Sequence, residues 1–269
     1  MAAKRKLLIT IFAVLCGVIM VIPIYFLVIS AFKTPDDVFK IGINFSNLTL
    51  DNFEAAFEKN ILRSIWNSLI VSTVVTVVAL LFHSMSGYAL ARLNFPGKSF
   101  VFGWIISTLM VPFTVIMIPL YMVTKGLGMD NSYAGLIIPM IFNAYGIFLF
   151  RQFYRDFPRE LEEAAYMEGL SIAGAFFRLV LPLSKPIIIP LTIGFFTANW
   201  NNYLWPLIIN RNEDLWVVQV ALANIVGGGY ETPWSVVLAA ALICAIPTFI
   251  LFFVMQKQLV EGIRTTGIK

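Results

Sequence analysis

The chain has 269 residues, 59% of them hydrophobic and 13% charged, with a formal net charge of +4 and a mean hydropathy of +0.84. Those values fall outside the range of soluble globular domains. The positive charge is spread over short loops and not gathered on one face, which argues against a nucleic-acid partner, and apolar runs of this length divide into spans of about 20 residues.

Six spans are predicted, roughly 7–32, 65–90, 100–123, 133–150, 186–210 and 235–256. None alternates apolar and polar residues as a barrel strand does, so the fold class is an all-α integral membrane protein, read as a single transmembrane domain over 1–269. The first span follows Lys4, Arg5 and Lys6 and runs too long for a signal-peptide core, so it is read as retained. Cys16 and Cys244 lie inside spans and read as buried apolar thiols, with neither a disulfide nor a metal site suggested. After the first span, LDNFEAAFEKNILRSIW places Phe53, Phe57, Ile61 and Ile65 at helical spacing. An interfacial helix follows, which either meets an outer partner or caps the bundle.

His83 is the one titratable candidate within the second span. A lone His reads as a hydrogen-bonded packing residue before it reads as a proton relay, which needs Asp, Glu or His partners. The turn FPGKS that follows resembles the end of a phosphate-binding loop, but Arg92 stands where that motif requires Gly, so Pro96 and Gly97 read as a plain bend. No catalytic constellation is present, and the chain is read as non-enzymatic. Pro112, Pro119, Pro139, Pro190, Pro206 and Pro247 fall in or near spans, as sites of kinks that either move or merely bend.

With the N-terminus inside, 13 of the 19 basic residues fall on the inner side and nine of the 15 acidic ones on the outer side. The positive-inside bias therefore predicts both termini in the cytoplasm. It also makes 151–185, between spans four and five, the longest inner loop. Its first half, FPRELEEAAYMEG, has Pro158 in the first turn, Glu160, Glu162 and Glu163 near the positive end of the helix dipole, and Gly169 as a stop. Ser171 can cap a second helix with Phe176, Phe177, Val180 and Leu181 on its apolar face, ended by Pro182 and Pro186. Carboxylates facing an anionic inner leaflet favour docking to a protein over docking to lipid.

In the fifth span Asn199, Trp200, Asn201, Asn202, Tyr203 and Trp205 form a polar and aromatic cluster before Pro206. As a continuous helix it would place Asn199, Asn202 and Tyr203 on one face and Asn201 and Trp205 on another. Amides can bond hydroxyls and aromatic faces can stack on sugar C–H surfaces, so a solute pathway is one reading. Interface anchoring and interhelical packing form the other.

Glu163, Ala164, Ala165 and Gly169, followed by Leu179, Leu181 and Pro182, resemble the E-A-A-x-x-x-G-x(9)-I-x-L-P signature of the membrane permeases of bacterial ABC importers, with Leu179 in place of the usual Ile. NSLIVS (Asn67 to Ser72), GYALARLNFPGK (Gly87 to Lys98), VPFTVIMIPLY (Val111 to Tyr121), WNNYLWPLI (Trp200 to Ile208) and the tail EGIRTTGIK resemble the carbohydrate-uptake branch, and most of all the smaller permease of the maltose-type pair. The tail departs from the family pattern at Arg264 and Thr266. The resemblance implies a subunit of the bacterial cytoplasmic membrane, paired with a second, homologous permease, two ATPase subunits inside and an extracytoplasmic solute-binding protein outside. It implies that ATP and Mg are used by the ATPase subunits, with no cofactor on this chain, and that the substrate is a sugar. Glu163 is then expected to make a polar contact with the ATPase, Ala164 and Ala165 to pack in its cleft, Gly169 to form the turn, and Leu181 and Pro182 to complete the signature. A glycerol phosphate or other polar solute, a secondary transporter and a structural or receptor subunit are the other readings.

Overall fold

The computed structural model describes residues 2–40, 42, 47–227 and 233–266, with side chains over 4–258 of these. All its regular elements are helical among the described residues, beside one isolated antiparallel bridge between Lys33 and Leu48. The chain forms two compact units, 1–65 with 220–247 and 66–219 with 248–269.

The first unit holds α1 (Ala2–Ala31), α2 (Asp51–Glu58), the first turn of α3 (Ile61–Arg92), most of α13 (Val218–Val226) and the first half of α14 (Trp234–Thr266). α1 is apolar all round, and Leu7, Phe12 and Met20 are all exposed. A helix of that kind needs lipid or another chain around it. Its C-terminal end is closed by the buried Asn52, which donates to the carbonyls of Ala31 at 2.9 Å and Lys33 at 2.8 Å. Carbonyls that a helix end leaves orphaned are thereby satisfied, and the Phe32 and Phe53 rings pack at 4.8 Å. The predicted interfacial helix is shorter than expected: α2 stops at Glu58, Asn60 takes a left-handed φ of 56°, and Ile61 is fully buried at the start of α3. Asn accepts that conformation more readily than most residues, so the apolar stripe Phe53 to Ile65 is cut at Asn60.

The second unit is organised around α3, along which Asn67, Ser68, Ser72, Thr76, His83 and Ser84 are buried. Asn67 donates to the carbonyls of Asp214 and Trp216, both at 2.9 Å, and accepts from the Tyr133 hydroxyl at 2.6 Å; the Ser68 hydroxyl accepts from Val218 N–H at 2.8 Å. The motif NSLIVS is thus a tie between a helix and a distant loop. Near the other end, a Cβ on Gly87 would lie 2.6 Å from Phe150 Cβ, so only Gly permits this approach to α7 (Ala144–Asp156).

Among the described residues, three helices are long and apolar enough to cross a membrane alone, Lys4–Ala31, Ile61–Arg92 and Trp234–Gln258, and three bent pairs pass the same test together. The expected third span is not one helix. α4 (Lys98–Ser107) tightens into a 3-10 turn, Thr108–Met110, and then bends by 106° into α5 (Phe113–Gly126). Pro112 causes the break: it lacks an N–H and forces Val111 into an extended conformation. The fourth span is likewise divided, α6 (Tyr133–Ile141) meeting α7 at 42° across Phe142 and Asn143. Pro23, Pro119, Pro139, Pro190 and Pro247 stay inside helices.

Candidate functional site

The inner loop folds as α8 (Arg159–Met167), a turn, a short helix α9 (Ile172–Ala175), a π-turn over Phe176–Val180 and α10 (Leu181–Leu183), leading into α11 (Lys185–Trp200). Each boundary has a local cause. Gly169 sits at φ +83°, its N–H donating to Tyr166 O at 3.0 Å while Leu170 N–H reaches Ala165 O at 3.0 Å. This is the paired closure of a Schellman C-cap, which requires the left-handed residue. Ser171 caps α9, its hydroxyl accepting from Gly174 N–H at 3.1 Å. Pro182 cannot donate back to the preceding turn and its ring crowds the carbonyl four residues earlier, which accounts for a widened π-turn just before it.

Beneath this loop lies an aromatic core of Tyr88 from α3, Phe150 and Tyr154 from α7, Phe176 and Val180 from the π-turn, and Leu191 from α11. The Tyr88 ring packs 5.1 Å from Phe176 and 5.7 Å from Tyr154. Ser184 fixes the start of α11, donating to Val180 O at 2.6 Å and lying 3.2 Å from the Tyr154 hydroxyl.

A buried charge ties α8 to this core. Glu162 Oε2 accepts from the Tyr88 hydroxyl at 2.8 Å, and Oε1 lies 2.8 Å from Arg92 Nε. The Arg92 contact is an ion pair by distance, with the N–H not aligned to make it a hydrogen bond. Arg92 donates from Nη2 to the carbonyl of Phe157, and Tyr166 O–H lies 3.3 Å from Tyr88 O–H. Tyr88 and Arg92 are one helical turn apart, so a single face of α3 grips both ends of α8. From the sequence, Arg92 reads as the residue that bars a phosphate loop and Glu162 as a first-turn acid. The available signal was a basic residue at the inner end of an apolar span, which demands a partner.

With Glu162 turned inward, Glu163 and Ala164 face outward and Gly169 is exposed at the turn. Met167 is 90% exposed, which makes it the most prominent apolar side chain of the loop. Ala165 is turned in, 6% exposed. Leu181 packs at the edge of the aromatic core and Pro182 is exposed.

The second predicted cluster is arranged differently from expectation. α11 ends at Trp200 and α12 (Leu204–Ile209) begins after a non-helical step, so the face assignments made for a continuous helix do not hold. Asn199 Nδ2 donates to Phe195 O of its own helix at 2.8 Å, and Trp200 is buried and stacked on Phe196 at 5.7 Å. Asn201 accepts from Gln219 at 3.1 Å, Asn202 lies 3.6 Å from the Met140 sulfur, and Tyr203 is 37% exposed. Trp205 is fully buried, its Nε1–H donating to Gly135 O at 2.9 Å. His83 is also fully buried: Nε2 accepts from Asn143 N–H at 3.0 Å, and the missing side chain of Gly146 makes room for the ring.

The described residues thus form a helical array with several membrane-length apolar segments and a charged, capped helix–turn–helix between two of them, an architecture that suits a membrane permease. The family model "Binding-protein-dependent transport system inner membrane component" matches residues 83–265, and the chain belongs to that family. It is 35% identical over 257 residues to the arabinooligosaccharides transport system permease protein AraQ of Halalkalibacterium halodurans, covering 93% of this chain and 92% of the relative. It is 31% identical over 249 residues to the lactose transport system permease protein LacG of Rhizobium radiobacter, covering 92% and 91%. A crystal structure of a bacterial ABC transporter that imports the acidic polysaccharide alginate contains a chain of the same fold, with a TM-score of 0.81 at 22% identity, covering 94% of this chain and 97% of that one. The chain is thus an inner-membrane permease of an ABC importer, with Tyr88, Arg92 and the whole inner loop inside the matched region.

Proposed function

We propose that this chain is one of two homologous permease halves of an ATP-driven carbohydrate importer, and that α8 is the helix through which the ATPase subunits move it. In this reading the whole chain acts as one transmembrane domain with six spans, three of them broken or bent, and both termini are cytoplasmic. A solute-binding protein delivers the sugar outside, and ATP and Mg belong to the ATPase partners. The names of the relatives, for arabinooligosaccharides and lactose, support a saccharide cargo.

The observation that carries the coupling role is the division of labour along α8. Glu162 is consumed inside the chain, while Glu163, Ala164 and Met167 stand outward and no partner within the fold covers the Met167 side chain. Glu163 supplies a polar contact to the ATPase, Ala164 permits close approach, and Met167 fills an apolar socket there. A pull on α8 reaches α3 through Glu162 with Tyr88 and Arg92, and reaches α7 and α11 through Phe176, Val180 and Ser184. Ala165, Leu181 and Pro182 shape this lever from within. Of the six pathway candidates, Asn202 and Tyr203 at the helix break keep that role. The C-terminal contact with the ATPase suggested by EGIRTTGIK involves side chains outside the described residues.

The test is the ATPase rate of the reconstituted complex with and without sugar-loaded binding protein, where stimulation by one saccharide is expected. Gly169→Asp places a side chain at φ +83° and a new charge at the docking turn. It is expected to leave the complex assembled but abolish uptake, and unimpaired uptake would refute the coupling role of the turn.

A further inference from the structure

The two broken spans of the second unit open onto the same space. A mostly apolar cavity of about 490 Å³ is lined by Trp104 and Thr108 before the bend at Pro112, Phe113 after it, Phe142 and Asn143 at the break between α6 and α7, and six aliphatic residues among them. This volume is in the range of small-molecule sites, about 300–1,000 Å³. Each break falls inside an apolar pair of membrane length and not at its end: Lys98–Met110 with Phe113–Gly126, and Tyr133–Ile141 with Ala144–Asp156. Irregular backbone within such a segment is tolerated only inside protein or beside a water-filled cavity, because lipid cannot satisfy its polar groups.

We propose that this cavity is a surface on which the chain contacts its solute during passage, with Trp104, Thr108 and Asn143 as contact residues for a sugar beside Asn202 and Tyr203 elsewhere on the pathway. The inference deepens the carbohydrate reading above and rests on it for the class of ligand. The chemistry of the three side chains is complementary. The Asn143 carbonyl oxygen is spent on capping α7, accepting from Tyr145 N–H at 2.8 Å, which leaves its amide N–H groups to donate. The Thr108 hydroxyl donates its proton to Ile105 O at 2.7 Å, which leaves its oxygen to accept. A sugar hydroxyl both donates and accepts, so this donor and this acceptor suit it. Trp104 is 68% exposed and offers an indole face to C–H surfaces. Facing lipid, the Asn143 amide N–H groups would be left without partners at a cost. A mostly apolar wall with two single hydrogen-bonding side chains, Thr108 and Asn143, and no charged residue in its lining also holds a neutral solute loosely enough to release it.

Trp104→Cys and Thr108→Cys, each in a Cys16→Ser, Cys244→Ala background, are placed in the full reconstituted complex and treated with a membrane-impermeant, cationic methanethiosulfonate reagent. Both cysteines are expected to react in at least one nucleotide state, and the transported sugar is expected to slow the reaction. Trp104→Ala and Asn143→Ser, the latter keeping an N-cap for α7, are each expected to lower uptake about tenfold, the equivalent of one lost contact of about 1.4 kcal/mol. Complex assembly is checked by gel filtration for every variant. No reaction at either cysteine in any state would overturn the proposal by placing the cavity against lipid or protein. Reaction without protection, together with wild-type uptake by Trp104→Ala, would overturn it as well. If the unaltered complex takes up no sugar but the cysteines are protected by another polar solute, the carbohydrate reading fails and the cavity remains the contact surface.

Discussion

The inner loop and the Asn-Trp cluster at the end of α11 are both polar passages in an apolar chain, yet one buries a charge and the other only neutral groups. In the inner loop a charge, Glu162, is buried against Arg92 and Tyr88, which lie 70 and 74 residues away in sequence. In the cluster the ties are neutral: Asn199 closes a bond four residues back in its own helix, Asn201 accepts from Gln219, and Trp205 donates to Gly135 O, 70 residues away. Both passages join distant elements, but only the first does so through a buried charge, whose removal strands its partner.

The contrast is tested most severely at the buried pair. Glu162→Ala leaves Arg92 buried beside no counter-charge, and removing one partner of such a pair costs about 3–5 kcal/mol. The melting midpoint of the detergent-solubilised complex should fall accordingly. The double variant Glu162→Leu with Arg92→Leu should recover most of that loss, since an apolar pair leaves no stranded charge. Additive single and double effects would show that the two side chains are not coupled, and the lever would then have to run through the aromatic core alone.

At Trp205 the loss is smaller. Trp205→Phe retains most of the packing but strands the Gly135 carbonyl, which lies beneath a backbone that no Cβ could enter. A cost of about 1–3 kcal/mol is expected, seen as a lower thermal midpoint with the range of transported solutes unchanged. An altered solute range would move Trp205 from the scaffold into the pathway. Smaller again is the N-cap of α9. Ser171→Ala should cost about 1 kcal/mol and Ser171→Gly only a few tenths, and the ranking of the two in thermal denaturation separates capping from any other role of the hydroxyl.

How much of this was legible in the sequence follows from the range of the forces involved. The turn at Gly169 and the cap at Ser171 are set by backbone conformation within four residues, so residue type and spacing sufficed. The broken spans were less visible. Pro112 announced its kink, but the break at Phe142 and Asn143 carries no proline, and it is stabilised by His83 from another helix. Arg92 and Glu162 were visible as charges but not as partners, because pairing across 70 residues depends on how α3 and α8 come together. Only the faces within the cluster fail, and for a related reason: they need helical periodicity across Trp200, where the helix stops.

The smallest expected effect is at Asn199, and it separates the cluster most directly from the cavity at the helix breaks. The amide of Asn199 bonds Phe195 O, a carbonyl one turn back on its own helix. Such back-bonding adds little to a helix, so Asn199→Ala should change stability by less than about 1 kcal/mol and leave the uptake rate near that of the unaltered complex. Uptake by the reconstituted transporter checks this beside Trp104→Ala. A large loss at Asn199 with none at Trp104 would reverse the assignment, making the end of α11 a solute-facing surface and the cavity a packing void between bent helices. The opposite pattern would mean that Asn199 marks a helix end, while the solute is met where two helix breaks line one cavity.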